Sequence, residues 1–424
     1  MVILHLPPAE AGGAERQCLR QARALAARGH EVTILTLWWC ARSRRHEVQE
    51  GVRIRRMGSL LPATMAARRG HARVAKWLGR APAVAVAGDP NEVFGRVPPR
   101  RKGFRWMALA ERPGLWSFLA EAAAAVRSGR LRADVIHAHE SLWIAGFAQW
   151  AGEWMGAPVF CKEAFQPVLR PSAAGDVPWA GAWDGRRRRC HFVAMTGEIA
   201  RDLAAAGVPP GRIVEIPNGV ELPAAAVDPG RRSDALYVGN FTQGSAHKGF
   251  DILFQAWARA ARREPAMKLR LYGRGDLGFW RRYAAEQGCG DSVVFEGPTP
   301  DVWGAHRQGG FLVLPSRTEG LSNALLEAMA SGLPAIVSAI PGNVAVVQDG
   351  VNGLVVPVGD VDALAEAMLR LHRSASLRTE LGRAARARIA ETFEIGKVAA
   401  RLETAYGHAL AAERAPPRRV GFGG

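Results

Sequence analysis

The sequence predicts an α/β protein with two doubly wound domains, each built on a parallel sheet. Its 424 residues exceed what a single hydrophobic core ordinarily holds, and two domains of roughly 200 residues are the natural division. Hydrophobic residues make up 48% of the chain, which is typical of a packed globular protein. Strand-length apolar runs alternate with helix-length amphipathic segments along most of the chain, and this alternation predicts parallel sheets flanked by helices.

The N-terminal half begins with a pattern typical of a βαβ unit. Residues Val2 to Leu6 predict a strand, Gly12 and Gly13 a loop that permits close approach to the backbone, and Ala14 to Ala27 an amphipathic helix. Val32 to Leu37 predicts the next strand, so a right-handed crossover starts the first sheet. Further segments of this half predict a helix over 114–127 and strands over 134–137, 158–161, 192–195 and 213–216.

A strongly basic stretch interrupts this pattern between about residues 40 and 106. It holds sixteen Lys and Arg against four Asp and Glu, a net charge of +12 in a chain whose total is +17. We expect a loop with amphipathic helices here. The cations and the interleaved aromatic side chains suit an anionic membrane surface, where each cation contributes about 1 kcal/mol. A merely solvated basic surface is the alternative, and nucleic acid is the least favoured partner.

The second half contains another α/β set. A segment rich in Pro, Ala and charge, Pro223 to Arg232, predicts the linker between the domains. Strands are predicted over 235–238, 268–272, 293–296, 310–314, 335–338 and 354–356, and helices over 250–263 and 396–412. The predicted domains cover residues 1–222, which include the basic stretch, and residues 223–395. Residues 396–424 hold the last helix and a basic tail.

Cysteine usage and the length of the apolar runs bear on the compartment. The five cysteines are scattered, odd in number and without a C-x-x-C pair, which predicts free thiols in a reducing compartment rather than a disulfide or zinc framework. We see neither a run of transmembrane length nor a signal-type N-terminus. We therefore expect a cytoplasmic protein, attached peripherally to the inner face of the cell membrane if the basic stretch binds lipid.

The most informative segment places two glutamates around the start of a helix. Phe311 to Leu314 predicts a buried strand, and Ser322 is an N-cap residue before a helix-forming run from Asn323 to Met329. Backbone N–H groups at such a start bind phosphate, whereas the carboxylates of Glu319 and Glu327 accept hydroxyl groups. A ligand with phosphate between two hydroxyl-bearing ends, such as a nucleotide sugar, fits this arrangement. A β-α unit with solvated glutamates is the alternative.

This segment resembles the E-x7-E motif of the retaining glycosyltransferases of family 4, which have the GT-B fold. The similarity continues over residues 341–368, and residues 12–36 also match. Between these ends lie DVIHAH at 134–139, IPNGVE at 216–221 and LYVGNFTQGSAHKGFDILFQAW at 236–257. Six segments in the order of the family span nearly the whole chain. The resemblance implies two Rossmann-like domains facing a central cleft, with the last helix crossing back to the first domain.

The resemblance also implies roles for single residues. Glu319 is expected to contact a hydroxyl of the transferred sugar, Glu327 to hold the nucleotide ribose, and Lys248 to neutralise the leaving diphosphate. His139 resembles the family histidine beside the transferred sugar and, with Glu319, is the expected catalytic residue. We expect His137 to point the other way. The remaining expected donor contacts are the backbone of Gly12 and Gly13 and the amides of Gly320, Leu321 and Ser322.

The sequence departs from the family at one phosphate contact. Family members often carry Gly-Arg shortly before the phosphate-binding lysine, and the arginine also binds the diphosphate. This chain has Gly239-Asn240 instead, and Asn240 cannot supply a full positive charge. We consider Asn240 itself and the nearby Arg274 as phosphate contacts, and Arg317 as another arginine that can substitute.

The resemblance implies a retaining glycosyltransferase. It moves a sugar from a nucleotide-diphosphate sugar to a hydroxyl of a glycan or lipid-linked acceptor, in cell-surface polysaccharide or lipopolysaccharide synthesis. No metal or other cofactor is expected, because the lysine can neutralise the diphosphate. One alternative is a non-catalytic GT-B protein that binds a nucleotide or an anionic polymer. The residue at position 240 slightly favours it, whereas the pair of Glu319 and Glu327 and the presence of Lys248 oppose it. Another is a GT-B epimerase or phosphorylase, which the E-x7-E pattern and the lack of a pyridoxal-phosphate lysine site oppose.

Overall fold

The computed structural model describes residues 13–38, 43–58, 116–141, 143–164, 168–169, 185–241 and 246–414. These residues form two compact units. Unit 1 holds the described residues up to Ile216 and those from Val398 onward, and unit 2 holds Pro217–Lys397. The predicted first strand, Val2 to Leu6, and the predicted site residue Gly12 lie outside the described residues.

Unit 1 is an α/β unit whose described strands form two groups. One group has the strand order β1-β3-β2, and the other has β4-β5-β6-β7 with every pair parallel. Its helices are α1 (Gly13–Ala27), α2 (116–127), α3 (Trp143–Met155) and α4 (Gly197–Ala205). Its strands are β1 (Val32–Leu37), β2 (His46–Gln49), β3 (Val52–Met57), β4 (Ile136–Ala138), β5 (Val159–Glu163), β6 (His191–Ala194) and β7 (Ile213–Glu215).

The first part of the basic stretch forms strands, so our expectation of a loop with helices is wrong there. Strand β2 pairs antiparallel with β3, and β3 pairs in parallel with β1. Val52 and Ile54 are buried whereas Arg53 between them is exposed. This alternation with a period of two is the signal of a half-buried strand, and the high density of arginines obscured it. Residues 59–106 of the stretch lie outside the described residues.

Unit 2 is built on one six-stranded, fully parallel sheet of order β10-β9-β8-β11-β12-β13. Its strands are β8 (Ala235–Val238), β9 (Leu269–Tyr272), β10 (Val293–Gly297), β11 (Phe311–Leu314), β12 (Ala335–Ser338) and β13 (Gly353–Val356). Its helices are α5 (Phe250–Arg263), α6 (Leu277–Glu286), α7 (Val302–His306), α8 (Asn323–Ser331), α9 (Pro341–Val344), α10 (Val361–Arg373) and α11 (Ala375–Arg388). Every residue of β11 and β12 is buried, as expected where helices cover both faces of a parallel sheet.

The segment from Pro223 to Arg232 is part of unit 2 rather than a free linker. The Val227 N–H donates to the carbonyl of Ser331 (2.7 Å), and the Arg378 guanidinium donates to the carbonyl of Pro229 (2.8 Å). The division between the units falls instead between Ile216 and Pro217. Pro- and Ala-rich composition therefore marked an irregular segment that packs on its own domain through backbone hydrogen bonds.

The last described helix, α12 (Ile395–Arg414), contributes to the core of unit 1. Val398 and Leu402 are fully buried and pack with Phe160 and Val193 of the four-stranded group. Ala399 belongs to a second cluster with residues of α1, β1 and β3. One face of this helix thus joins both strand groups of the unit.

Three features bear on compartment and chemistry. Among the described residues, no helix is both long and apolar enough to cross a bilayer. The cysteines within the described ranges are buried free thiols: Cys18, Cys161, Cys190 and Cys289. The same ranges contain no group of three or more His, Cys, Asp or Glu side chains arranged to hold a metal ion.

Candidate functional site

The order of strands in unit 2 creates a topological switch point between β8 and β11. The chain leaves β8 toward β9 and β10 on one side, whereas β11 leads to β12 and β13 on the other. In open parallel sheets, ligands bind outside the carboxyl ends of the two strands where the direction reverses. Lys248 follows β8 and Glu319 follows β11, so the sequence places both predicted donor contacts after the two switch-point strands.

Lys248 and Glu319 form an ion pair between Nζ and Oε1. The second oxygen of Glu319 accepts a hydrogen bond from the Ser316 hydroxyl (3.0 Å). The two charged side chains are 23% and 16% exposed, so they are partly desolvated but reachable from solvent. The structure thereby brings together a cation suited to phosphate and a carboxylate suited to a hydroxyl group.

A glycine allows the two loops that carry this pair to approach each other. Gly249 is the N-cap of α5 and has a left-handed backbone with φ +70°. A Cβ atom at this position would lie 2.1 Å from the carbonyl oxygen of Pro315, which is closer than any real contact. The Arg317 N–H also donates to the carbonyl of His247 (2.7 Å). Backbone packing therefore holds Lys248 next to the loop of Glu319.

The predicted amide-bearing turn, Gly320 to Ser322, precedes α8. Ser322 is the N-cap residue as expected, but its side chain makes no capping hydrogen bond. The turn is held instead by Asn218, whose amide nitrogen donates to the Leu321 carbonyl and to the Asn323 side chain, both at 3.1 Å. Gly342 touches the turn from the other side, since a Cβ there would lie 1.5 Å from the Gly320 carbonyl oxygen.

Glu327 lies in the second turn of α8 and is only 2% exposed. Buried carboxylates need hydrogen-bond donors because desolvation of an unpaired charge is costly. This residue has an interaction within the protein. Helix α8 ends at Gly332, which has φ +93° and donates to the carbonyl of Met329 (3.0 Å).

The arginines that we considered as substitutes at the phosphate site differ in the partners that they bind. Arg317 forms a bidentate ion pair with Asp251 (2.7 and 2.5 Å), which raises the pKa of the guanidinium. The backbone N–H of Arg274 lies 3.4 Å from the side-chain oxygen of Asn240, and Asn240 itself is exposed. Arg317 is thus committed to α5, whereas Arg274 and Asn240 stand together after the neighbouring strands β9 and β8.

In unit 1, His139 follows the end of β4, and Gly13 is an exposed residue at the start of α1. His139 is buried, and within the described part of the chain neither ring nitrogen has a hydrogen-bond partner. Its ring stacks on His137 with centroids 4.6 Å apart. Our expectation that His137 points the other way is therefore wrong, because residues two apart along a strand share a face.

The hydroxyl of Tyr406 on α12 lies 2.6 Å from Nδ1 of His137. Burial, and the proximity of the Lys162 ammonium, hold the pKa of both histidines well below the ordinary value. The imidazoles are therefore neutral near pH 7. Burial also lowers the pKa of Lys162 to about 8 and raises that of Glu140 to about 7. Such a cluster of buried groups with perturbed pKa values is typical of a functional site.

The described residues of unit 2 also border a cavity of ≈ 400 Å³. The segments that line it precede β8, β11 and β12, so it lies at the amino ends of the strands rather than at the carboxyl ends. Its lining includes Val227, Asp228, Trp303, Arg307 and Ser331, and none of the predicted site residues. This cavity is therefore separate from the candidate site.

Known families match both units of this chain. Residues 11–223, half of the chain, match the family described as "Glycosyltransferase Family 4". Residues 232–374 match the family described as "Glycosyl transferases group 1". The chain belongs to glycosyltransferase family 4. It is therefore a transferase enzyme, and the alternative of a non-catalytic GT-B protein is not supported.

Relatives of this family 4 glycosyltransferase carry specific names. The D-inositol 3-phosphate glycosyltransferase of Salinispora arenicola is 29% identical over 314 residues, 66% of this chain and 69% of the relative. The GDP-mannose:cellobiosyl-diphosphopolyprenol alpha-mannosyltransferase of Xanthomonas oryzae is 33% identical over 194 residues, 42% of this chain and 49% of the relative. The Anabaena protein HepE, crystallised with UDP and glucose, is 16% identical, with a TM-score of 0.65 over 96% of this chain and 100% of HepE. This likeness confirms the GT-B fold.

Three side chains that position the site were not singled out by sequence reasoning. They are Asn218, which holds the turn before α8, Ser316, which donates to Glu319, and Asp251, which pairs with Arg317. Each contact joins residues far apart in the chain, except that of Ser316 with Glu319. The only available signal was the Ser-x-x-Glu spacing of Ser316 and Glu319.

Proposed function

We propose that this glycosyltransferase transfers a sugar, with retention of anomeric configuration, from a nucleotide-diphosphate sugar to a hydroxyl of a glycan or lipid-linked acceptor. The observation that carries the proposal is the ion pair of Lys248 and Glu319 at the switch point of the unit 2 sheet. A cation and a hydroxyl acceptor in contact match a ligand in which a diphosphate is bonded directly to a sugar. A nucleotide-sugar donor contains both a diphosphate and a sugar, so its binding site needs both side chains.

The leaving diphosphate is stabilised at the turn before α8. When the bond between the anomeric carbon and the diphosphate oxygen breaks, negative charge grows on the phosphate. Lys248 supplies a positive charge, and the backbone N–H groups of Gly320 to Ser322 supply fixed dipoles that need no reorganisation. Asn218 and Gly342 hold that turn in place. Arg274 and Asn240 stand as further phosphate contacts in place of the usual arginine.

Glu319 and His139 are the proposed catalytic residues. Glu319 accepts a sugar hydroxyl, which orients the ring against the diphosphate. His139 is neutral because burial lowers its pKa, so it offers a hydrogen bond without placing a cation beside the positive charge that develops on the sugar ring. Glu327 accepts hydroxyls of the nucleotide ribose.

Retention follows from a front-face reaction. The acceptor oxygen bonds to the anomeric carbon on the face from which the diphosphate leaves, and the acceptor proton passes to the departing phosphate oxygen. Both sides balance, since one C–O bond forms, one breaks and one proton moves. This mechanism needs no carboxylate nucleophile, which agrees with the engagement of Glu319 by Lys248 and Ser316.

The acceptor class is proposed from the relatives and from charge. One relative is named for a diphosphopolyprenol acceptor and another for an inositol phosphate. A lipid-linked or glycan acceptor in cell-envelope polysaccharide or lipopolysaccharide synthesis fits the diphosphopolyprenol name and a net charge of +17, whereas an inositol phosphate is neither a glycan nor lipid-linked. The proposed location is the cytoplasm, at the inner face of the cell membrane.

A binding screen tests the donor class. Saturation-transfer NMR with UDP-, GDP- and ADP-sugars should show binding of one nucleotide to the wild-type protein. Glu327→Ala should abolish the signal. Glu366→Ala, which removes an exposed glutamate of unit 2, should leave it unchanged. Absence of binding to all three nucleotide classes would contradict the proposal.

A further inference from the structure

The run Arg186 to Arg189 splits into one structural arginine and three surface arginines. Arg187 is buried and donates to the carbonyls of Ser141 and Leu169. Arg188 and Arg189 are exposed, and Arg186 is partly exposed. The two terminal nitrogens of this buried guanidinium bind backbone oxygens, which gives a structural role to one of the four arginines only. The other three present their charge to solvent.

Two tryptophans of α3 lie beside these surface arginines. Trp154 is 56% exposed, and its neighbour in sequence, Glu153, pairs with both Arg186 and Arg189. Trp150 lies one turn earlier on the same face, with its ring 6.4 Å from that of Trp154.

Arg127, at the end of α2, completes the group. Its guanidinium carbon lies 5.6 Å from the ring centroids of both tryptophans. We call the set of Arg127, Trp150, Trp154, Arg186, Arg188 and Arg189 the Arg-Trp surface. Arg186 and Arg189 share one carboxylate, that of Glu153, and Arg188 stands exposed between them in the chain, so the described part of this surface carries more positive than negative charge.

We propose that the Arg-Trp surface docks unit 1 on an anionic membrane. An exposed indole surrounded by arginines is the composition of a membrane-interface anchor, since tryptophan lies at the headgroup level and arginine binds lipid phosphates. This surface is distinct from the unit 2 site. The proposal is compatible with the lipid-linked acceptor of the proposed function, but it rests on contacts within unit 1 alone.

The aromatic geometry favours a membrane over nucleic acid. Single-stranded nucleic acid is bound by aromatic faces that are free to stack on bases. Here Arg127 lies over both indole rings, and the Trp150 ring also stacks on Phe147 with centroids 5.4 Å apart. A side chain of the protein therefore already covers a face of each indole, which leaves less ring surface for stacking on bases. The exposed part of Trp154 remains available for insertion among lipid headgroups.

Vesicle sedimentation of the full-length protein tests the proposal. The wild type should bind vesicles of phosphatidylglycerol mixed with phosphatidylcholine at low salt, and phosphatidylcholine vesicles much more weakly. The Arg188→Gln/Arg189→Gln variant should bind the anionic vesicles roughly 20- to 30-fold more weakly, because each cation contributes about fivefold. Trp154→Ala should also weaken binding and, with brominated lipids, should remove part of the fluorescence quenching.

The matched control removes the same charge elsewhere. Arg282 and Arg383 are exposed residues of unit 2, and Arg282→Gln/Arg383→Gln should bind vesicles like the wild type. An equal loss in this control would assign binding to net charge and overturn the proposal. So would an unchanged affinity of the Arg188/Arg189 variant, or no binding by the wild type at low salt. If the surface variants lose affinity for a single-stranded RNA oligonucleotide but not for vesicles, the partner is nucleic acid and the proposal is wrong.

Two further measurements separate this proposal from the donor site. Nucleotide-sugar binding by saturation-transfer NMR should be the same in the wild type and in the Arg188/Arg189 variant. Thermal unfolding should also be unchanged, because the substituted guanidiniums are exposed. Loss of vesicle binding with intact donor binding supports the membrane surface, and loss of both through unfolding would contradict the assignment of these arginines to a surface role.

Discussion

Lys248 and Glu319 touch across the switch point of the unit 2 sheet although 71 residues separate them in the chain. Each side chain therefore screens the other, and neither charge is fully solvated. Replacement of one partner leaves the other partly buried and unpaired, so single substitutions here affect both ligand binding and the charge balance of the site.

The two glutamates of the E-x7-E motif should differ in their kinetic effects. Glu327→Gln should raise KM for the donor by about 10- to 100-fold with a smaller change in kcat, because a hydrogen bond to a charged acceptor contributes about 1.5–3 kcal/mol. Glu319→Gln should lower kcat as well, since its contact orients the reacting sugar. Initial-rate kinetics of donor consumption measures the difference, and identical effects on KM and kcat in both variants would refute distinct roles.

Gly249→Ala should destabilise the protein by about 2–4 kcal/mol. The left-handed backbone costs an L-residue about 1–2 kcal/mol, and the Cβ contact with the Pro315 carbonyl forces a further shift. Gly288 is a matched control, because it also has positive φ (+73°) but nothing within 4 Å of a Cβ atom. Chemical denaturation should show a smaller loss in the free energy of unfolding for Gly288→Ala than for Gly249→Ala. Equal losses would mean that the close approach to Pro315 does not contribute to the cost of the substitution.

Tyr406→Phe should cost about 1–3 kcal/mol of stability, because Nδ1 of His137 loses its partner while buried. The ring of Tyr406 keeps its edge-to-face contact with Phe160 (4.9 Å), so packing is largely retained. In a His137→Phe background the same substitution should have little effect. A double-mutant cycle by urea denaturation measures this coupling, and additive losses would show that the hydrogen bond does not connect the two residues.

His306 should make the free energy of unfolding depend on pH. Burial lowers its pKa to about 4, compared with about 6.5 in the unfolded chain. Between these values the unfolded state binds a proton that the folded state does not, so stability falls as pH falls from 6.5 to 4. The contribution is on the order of 3 kcal/mol at most.

The variant His306→Phe removes this titration and keeps the site apolar. Denaturation at a series of pH values should show that the wild type loses more stability than the variant between pH 6.5 and 4. The two curves should run parallel above that range. A constant difference at every pH would show that His306 is not the group responsible.

The local parts of the site could be predicted from the sequence, because each depends on neighbouring residues. The strand Phe311–Leu314, the turn and the helix that begins at Asn323 follow from hydrophobic pattern and capping rules, and the structure agrees with all three. The strands of unit 2 were predicted to within one residue at each end for the same reason.

The contacts that hold the site together were not predictable from pattern. The bonds from Asn218 to the Leu321 turn and the pair of Arg317 with Asp251 join distant segments. The segment Pro223 to Arg232 reads as a linker because its composition carries no periodicity, yet its backbone groups find partners on α8 and α11. Tertiary hydrogen bonds of this kind leave no local sequence signal.

Lys248 provides the most direct test of the proposed donor site. Isothermal titration should compare a nucleoside diphosphate with the matching monophosphate, in the wild type, in Lys248→Met and in Lys248→Arg. If Lys248 binds the second phosphate, the wild type should prefer the diphosphate by roughly 10- to 100-fold, as expected for a charge-assisted contact. The preference should vanish in Lys248→Met and persist in part in Lys248→Arg. An equal preference in the wild type and in Lys248→Met would contradict the assignment of the switch-point site to a nucleotide-diphosphate sugar.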